Sequence, residues 1–407
     1  MIVAQASGDP RTAPDIAFIE AMRARYSVEP EIDVVLTAKL KARSKPPYAP
    51  VPLESLAAAT ADLVRSEVGP NATVENPRWL GGGASKIQMA FDLDWTPPGS
   101  TERESTPMVL RMEPSASIVE TSRRREFEAL KLAREYVPVP RCYWVDPEGK
   151  YLPYPGLVYG FAKGVTKPSA RPAQQVTGIG TNFGPELRPK LALQFVRDLA
   201  RIHSIPPKKQ AELRYFEPAV AGENTALIRQ IDWWRRVWDE DRPEAVPLVD
   251  VAASWLRANA PVLDRPSLVH GDFRAGNFLY SENTGEVTAW LDWELAVLGD
   301  RHQDLAWMTG PHFGHFAEDG KTFLACGLLP ADELYSLYEE ESGLSVDPER
   351  LRYFRVFNDF MSCVHMLASA PRVARHGKTH QDVLVAWLSI IGNVVASGLR
   401  ETLAEVL

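Results

Sequence analysis

The chain is poor in cysteine. Cys142, Cys326 and Cys363 are three, an odd number, widely spaced and without a CxxC pair. That argues against a disulfide framework and against a cysteine-based zinc site, and makes a reducing cytosol the expected compartment. Long hydrophobic runs are missing as well. A transmembrane helix needs ~18 or more uninterrupted apolar residues, and the best stretch, 388–395, is broken by Gly392 and Asn393. The apolar run in the opening MIVAQASGDPRTAPD is too short for a signal segment, and acids follow early. There is no basic excess: 45 Lys and Arg against 53 Asp and Glu leave a net charge of −8. That balance argues against a nucleic-acid binder. No G-x-x-x-x-G-K-[ST] occurs, which excludes a P-loop NTPase. His302, His312 and His315 resemble a ligand cluster, yet no fourth ligand stands at a recognised spacing, so zinc is not expected. A metal-dependent hydrolase is disfavoured by the lack of an H-x-x-x-H helix.

What is present is a chain of 407 residues, 45% hydrophobic and 24% charged. At roughly 100–200 residues per domain it divides into two to three lobes and can bury a core without staples. Two short helical patterns occupy 15–26 and 30–42. The proline-rich stretch 45–52 then stops any helix and reads as an extended connector. A helix over 53–68 ends at Gly69-Pro70. Strand signals follow at 73–80, 85–93, 108–112, 141–145 and 156–161, with a helix over 121–136. In the second strand Ile87, Met89, Phe91 and Leu93 share one face. The order β-β-β-α-β-β suggests one mainly antiparallel sheet with a helix packed on it. Beyond it helical patterns dominate, near 187–204, 224–240, 246–259, 331–341, 347–370 and 380–405, around short strands at 267–269, 278–280 and 287–291. The expected division is an N-terminal helical extension over 1–50, a nucleotide-binding N-lobe over 51–162, and a helical C-lobe over 163–407. The segment 165–189, rich in Pro, Gly, Thr and Gln, reads largely as a long loop of the functional or mobile kind.

The informative stretch is Leu268-Val269-His270-Gly271-Asp272-Phe273-Arg274-Ala275-Gly276-Asn277-Phe278-Leu279, with Asp292 and Glu294 fifteen and seventeen residues after Asn277. Apolar strand residues frame each polar group, which puts the polar groups at strand ends or tight loops. Phosphoryl transfer to a hydroxyl needs a carboxylate to orient the hydroxyl and take its proton, and oxygen ligands for Mg²⁺ bridging nucleotide phosphates. Asp272 suits the first role, Asn277 and Asp292 the second. The five-residue step from Asp272 to Asn277 matches the protein-kinase catalytic loop.

His-Gly-Asp-x-x-x-x-Asn followed by a short strand and Asp-x-Glu resembles the aminoglycoside phosphotransferase family, the small-molecule branch of the protein-kinase-like fold. Gly299-Asp300 and Asp304-Leu305-Ala306-Trp307 extend the likeness, with Arg301 where the family has proline, and Leu199-Ala200-Arg201-Ile202-His203 resembles the helix that buttresses the catalytic loop. The resemblance covers roughly residues 75–370. It implies an α+β protein-kinase-like fold, with a small antiparallel-sheet N-lobe and a larger, mainly helical C-lobe, and ATP and Mg²⁺ as cofactors. The loop carrying Gly81, Gly82, Gly83 and Ser85 would then cover the phosphates, where glycine lets backbone approach closely. Arg111 stands at the position of the kinase lysine, as in a branch similar to acyl-CoA-dehydrogenase-linked kinases, and Arg can hold phosphates bidentately. Its expected partner is Glu126, with Glu128 the lesser choice. The stretch 157–162, with Tyr159 and Phe161, would be the hinge, offering backbone groups to an adenine edge. ATP and GTP are not distinguished there.

Several residues carry a bland reading beside a sharp one. His270 is expected to pack and bond near the catalytic loop rather than act as a base. Glu294 is either a third metal-shell group or an ion-pair partner. Asp300 and Asp304 are expected to organise loops. Trp233, Trp234 and Trp238 are core residues or an acceptor-site wall. Arg274 holds an anionic acceptor or a phosphate, as a catalytic group beside Asp272, or pairs with a neighbouring acid. With Arg235 and Arg236 it suits an anionic or neutral alcohol better than a polycation. The partner expected is a small-molecule hydroxyl acceptor, a hydroxy acid or hydroxyacyl thioester by resemblance, with no nucleic acid and no membrane; oligomeric state is left open. The alternatives are an aminoglycoside or other antibiotic kinase, and a non-catalytic nucleotide-binding scaffold.

Overall fold

Period-two patterning decides which way the first sheet faces. In the computed structural model, which describes residues 9–43, 49–81, 86–169, 179–376, 386 and 388–407, strands β1 (Thr73–Trp79), β2 (Ile87–Trp95), β3 (Glu104–Met112), β4 (Cys142–Asp146) and β5 (Gly156–Gly160) form one antiparallel sheet of order β1-β2-β3-β5-β4. Successive side chains of a strand point to opposite faces. Met89, Phe91 and Leu93 of β2 and Met108, Leu110 and Met112 of β3 accordingly form one buried face, covered by Leu56, Leu63 and Val64. Those three come from α3 (Leu53–Val68), which ends at Gly69 with φ +100. Val109 and Arg111 are left for the other face, where Val109 packs with Leu157 and Tyr159 of β5.

Helix α4 (Arg123–Ala133) crosses beside the sheet, its N-terminus capped by the Ser122 side chain, which accepts from the Arg125 amide. Past the sheet the described chain is mainly helical: α5 (Gly184–His203), the single turn α6 (Pro207–Gln210), α7 (Thr225–Asp241) and α8 (Pro247–Ala258). Strand β6 (Ser267–Val269) pairs with β9 (Val297–Gly299), and β7 (Phe278–Tyr280) with β8 (Val287–Trp290), both antiparallel. Next come α9 (His302–Met308), the two-residue strands β10 (His315–Phe316) and β11 (Phe323–Leu324), α10 (Ala331–Ser342) and α11 (Pro348–Cys363). A π-helical stretch, Val364–Ser369, carries α11 into α12 (Ala370–His376). The two N-terminal patterns are helices α1 (Ile16–Arg25) and α2 (Pro30–Ala42). Ile32 and Leu36 of α2 belong to the same continuous core as Leu130 of α4 and Trp238 of α7.

One expectation shifts, and one choice between two readings is settled. Strand β3 starts at Glu104 rather than 108, because its first half pairs with Leu93–Trp95 as a hairpin arm. The three tryptophans of α7 are buried core, with Trp233 and Trp234 stacked at 4.5 Å and Trp234 edge-on to His365. They form no exposed wall. The first half of the connector (45–48), and the middle of the long loop (170–178), lie outside the described residues. So do 380–385 and 387 of the expected helix over 380–405, whose later part is the helix Gly392–Ala404.

Candidate active site

The loop between β6 and β7 is shaped by a glycine and an aspartate. Gly271 has φ +82, and a Cβ there would lie 2.6 Å from the Leu295 carbonyl oxygen, so only glycine fits. Asp304, at the start of α9, receives the His270 amide on Oδ2 (2.7 Å) and the Gly271 amide on Oδ1 (2.9 Å). His203 Nε2 lies 3.1 Å from the same Oδ2, and its Nδ1 lies 2.9 Å from the Tyr338 hydroxyl. Helix α5 thus buttresses the loop through His203 and Asp304. His270 is fully buried. The Asp272 amide donates to its Nδ1, which leaves Nε2 to donate to the Leu291 carbonyl at 2.9 Å. This ties the loop to the segment leading into Asp292, a structural role.

Asp272 is held by three donors. Arg274 Nε (2.8 Å) and Trp307 Nε1 (2.7 Å) both donate to Oδ1, and Asn277 Nδ2 (2.6 Å) donates to Oδ2. A carboxylate fixed in this way keeps one orientation. Arg274 also lies 5.3 Å over the Phe313 ring, so it takes the option of pairing with the neighbouring acid. Asn277, buried, accepts the Leu291 amide on its main-chain carbonyl at 2.8 Å, which places the start of β7 beside the approach to Asp292. Asp292 has φ +60 and ψ 49 as a non-glycine residue, and it caps the short turn Trp293–Leu295. Left-handed backbone at a non-glycine residue costs energy, less at Asp than at bulkier side chains, and collects at functional sites.

Opposite, the face of β3 turned away from α3 delivers Arg111. Its Nε lies 3.1 Å from Glu126 Oε1, its Nη1 2.5 Å from Asp292 Oδ1 and its Nη2 3.4 Å from Glu294 Oε1. The expected Arg111–Glu126 pair is therefore present, and Glu128 is not part of it. Around it lies a cluster that sequence reasoning missed. Lys86 Nζ lies 2.8 Å from Glu294 Oε2 and 3.1 Å from Glu113 Oε2. Arg123 reaches Glu294 Oε2 at 3.2 Å and Glu113 Oε1 at 3.0 Å, and pairs with Glu126. Burial would raise the Glu294 carboxyl, but Lys86, Arg111 and Arg123 hold it well below the usual carboxylate range. Glu294 is thus an ion-pair partner. The available signal was Lys86 itself, a lysine placed directly after three glycines, Ala84 and Ser85.

On the nucleotide side, Gly81 is exposed coil, while Gly82, Gly83 and Ser85 fall outside the described residues. Tyr159 is buried against Val109 and Leu157, with Phe161 packed on them. The Gly160 and Phe161 amides are already used, donating to the Arg141 and Pro107 carbonyls. A hinge contact made by an amide would have to come from beyond Phe161. The basic pair on α7 does not face the cleft as expected. Arg235 pairs with Asp250 at 2.6 Å, and Arg236, fully buried, pairs with Asp33 at 2.6 Å and Glu240 at 2.8 Å. His302 is held by Asp300 at 2.6 Å, and no group of three or more His, Cys, Asp or Glu suited to a metal occurs among the described residues. Asn277 and Asp292 supply one amide and one carboxylate, hard oxygen donors of the kind Mg²⁺ takes while leaving its other positions to water and phosphate.

A five-stranded antiparallel sheet above a helical lobe, with a fixed aspartate below the cleft and an Arg–Glu pair above it, is the architecture of a two-lobed, kinase-like phosphotransferase. The chain belongs to the phosphotransferase enzyme family, whose family model matches residues 100–328. It is 28% identical over 204 residues to acyl-CoA dehydrogenase family member 10 of Mus musculus, covering 49% of this chain and 18% of that protein. It is 31% identical over 186 residues to acyl-CoA dehydrogenase family member 11 of Gallus gallus, covering 44% and 23%. The match thus spans about a fifth of those relatives' length. Among solved structures, a Ralstonia eutropha protein assigned as an aminoglycoside phosphotransferase aligns with TM-score 0.59 at 20% identity, over 85% of this chain and 98% of that one. A macrolide 2'-phosphotransferase type I aligns with TM-score 0.51 at 17% identity, over 81% and 95%. These likenesses are of fold. No described helix is long and apolar enough to cross a membrane.

Proposed function

We propose that the protein is an ATP- and Mg²⁺-dependent phosphotransferase acting on a hydroxyl of a small molecule. The observation that carries this reading is Asp272, oriented by Arg274, Trp307 and Asn277 beneath a cleft whose upper wall bears the Arg111–Glu126 pair. In the proposed reaction Asp272 orients the acceptor hydroxyl and accepts its proton. Arg111 steadies the phosphates, with Glu126 fixing its guanidinium. Asn277 and Asp292 would hold Mg²⁺, which when bound neutralises phosphate charge. The loop with Gly81, Gly82, Gly83 and Ser85 would cover the phosphates, and the backbone around Tyr159 and Phe161 would meet the base.

The acceptor we favour is a hydroxy acid or hydroxyacyl thioester. Its support is the likeness to proteins named for an acyl-CoA dehydrogenase. The charge argument adds nothing to it, since Arg235, Arg236 and Arg274 are all committed to acids. A non-catalytic nucleotide binder is the second reading, favoured by one observation, the Arg111–Asp292 contact on the carboxylate meant for the metal. The test is Mg²⁺-dependent conversion of ATP to ADP against hydroxy acids and their CoA thioesters, aminoglycosides, macrolides, amino alcohols and sugars, with Asp272→Ala as control. Stimulation by hydroxy acids or thioesters, lost in the variant, is the expected result. Stimulation by an antibiotic instead would replace the acceptor. ATP bound without turnover would leave the scaffold reading.

A further inference from the structure

The role of the two N-terminal helices is written in where their charges go. Helix α2 touches two elements far apart in the chain. Toward α7, Asp33 and Thr37 take Arg236 at 2.6 and 3.2 Å, Lys39 reaches Glu240 Oε2 at 2.6 Å and Asp241 Oδ1 at 3.1 Å, and Arg43 donates to the Glu240 carbonyl at 2.7 Å. Toward α4, Glu31 Oε1 accepts from the Ser122 hydroxyl at 2.6 Å, on the residue that caps α4. Glu29 holds the next residue but two. Its Oε2 and Oε1 lie 2.9 and 3.4 Å from the two terminal nitrogens of Arg125.

Arg125 is itself a junction. It donates to the Ala296 carbonyl at 3.1 Å, just past the turn that carries Asp292 and Glu294, and stacks over Phe216 at 4.2 Å. Glu29 also accepts the Glu217 amide at 2.9 Å. Glu29 sits at the N-cap of α2, yet its side chain makes no cap bond, so the carboxylate is spent on α4 and the Glu217 amide rather than on its own helix. The neighbour of Arg125 is Glu126, whose carboxylate orients Arg111 at the cleft.

We propose that α2 is a positioning strap for the phosphate side of the site: anchored on α7, it holds the first turn of α4 through Glu29 and thereby keeps Glu126 on Arg111. The inference rests on the proposed function of Arg111 and Glu126. Glu29 is a positioning residue, since it touches neither Arg111 nor Asp292. An ångström of misplacement in a reacting constellation can cost ~10²-fold in rate, so the first turn of α4 is where a remote contact can matter.

The test uses the full chain carrying Glu29→Gln or Asp33→Asn, with Mg·ATP as the probe. It reads kcat and KM for ADP release and amide hydrogen exchange of α4. Glu29→Gln is expected to lower kcat about 10- to 100-fold with a smaller change in KM, and to speed exchange in the first turn of α4. Asp33→Asn, which weakens the contacts to Arg236 and Arg23 but leaves α2 anchored on α7 through Lys39 and Arg43, is expected to stay within about twofold of wild type in kcat, whatever it does to stability. In a Glu126→Gln background, Glu29→Gln should add nothing further. If Glu29→Gln does not fold, Glu29→Asp, which keeps the charge and shortens the reach, carries the same comparisons. Equal losses in the Glu29 and Asp33 variants, or effects of Glu29 and Glu126 that simply add, would reduce the strap to general stability and overturn the proposal. A wild-type chain without any Mg·ATP turnover would count against the proposed function instead. Exchange would then decide the strap, and unchanged protection of α4 in Glu29→Gln would sink it.

Discussion

Arg111 and Asp292 are in direct contact, Nη1 2.5 Å from Oδ1, and join a strand of the sheet lobe to a left-handed turn of the helical lobe. The same guanidinium holds Glu126 at 3.1 Å. One side chain therefore registers α4, β3 and the Asp292 turn against each other. A lysine offers one point charge at the end of a flexible stem, whereas the planar guanidinium fork serves several acids at fixed angles.

Replacing Arg111 should separate these duties. Arg111→Ala leaves Glu126, Asp292 and Glu294 short of a cation, and breaking a buried pair costs on the order of 3–5 kcal/mol. A lowered denaturant midpoint with loss of Mg·ATP affinity is expected. Arg111→Lys should fold, because it keeps the charge. Losing a hydrogen bond to a charged group weakens binding roughly 10- to 100-fold, which calorimetry with Mg·ATP will read. Wild-type affinity in Arg111→Lys would argue against a bidentate role.

At Asp272 the expected effect is on turnover alone. Asp272→Ala should lower acceptor-dependent turnover ~10²–10⁴-fold, the scale of base catalysis, with the unfolding midpoint little changed. Trp307→Phe deletes one of the two donors to Oδ1. Its loss should be smaller, about 10-fold. A Trp307→Phe enzyme slower than Asp272→Ala would mean that Trp307 acts on something other than the carboxylate.

Lys86 tests the buried cluster. Its ammonium serves Glu294 and Glu113 in a fully buried position. Lys86→Met should destabilise the chain by roughly 3–5 kcal/mol, because two buried acids lose a partner. Adding Glu113→Gln should recover part of that loss, since one orphaned charge disappears. Strict additivity of the two changes in a double-mutant cycle would show that the pair is not coupled.

Asp359 gives a pH dependence with a definite sign. Burial pushes its carboxyl up to about 6, although the Thr402 hydroxyl, His312 and Arg355 pull the other way. A carboxyl that ionises less readily folded than unfolded binds protons more tightly in the native state. It therefore takes stability away as pH rises from about 4 through 6, by up to ~3 kcal/mol at neutral pH. Asp359→Asn should raise the thermal midpoint at pH 7.5 and leave it unchanged at pH 4. Equal midpoints for the two proteins at pH 7.5 would remove the argument.

Much of the fold was legible in the residues because its rules are local. Alternation in 87–93 placed Ile87, Met89, Phe91 and Leu93 on one face, which is the buried one. The helix stop at Gly69 and the motif from His270 to Asn277 were likewise readable, because a turn and a catalytic loop are written in a few consecutive residues. The Arg111–Glu126 pair followed from resemblance, and Asp304 as organiser of the loop from its place in the motif. Harder to read was Arg274, whose two options differ only by which neighbour is nearer.

Partnership between distant charges was decided by the tertiary structure alone. Nothing in Arg235-Arg236 says that one faces Asp250 and the other is buried on Asp33, about 200 residues upstream. Glu113 and Arg123 look like ordinary surface charges in the chain, and join Lys86 and Glu294 in one cluster only when β2, β3, α4 and the Asp292 turn converge. The N-terminal helices show the same division: their existence was written in periodicity, their attachment to α4 and α7 was not. Periodicity records which side of an element is apolar. It carries no address for the partner of a buried charge, whose energy depends on distance and on exclusion of water, and both are set only when the elements pack.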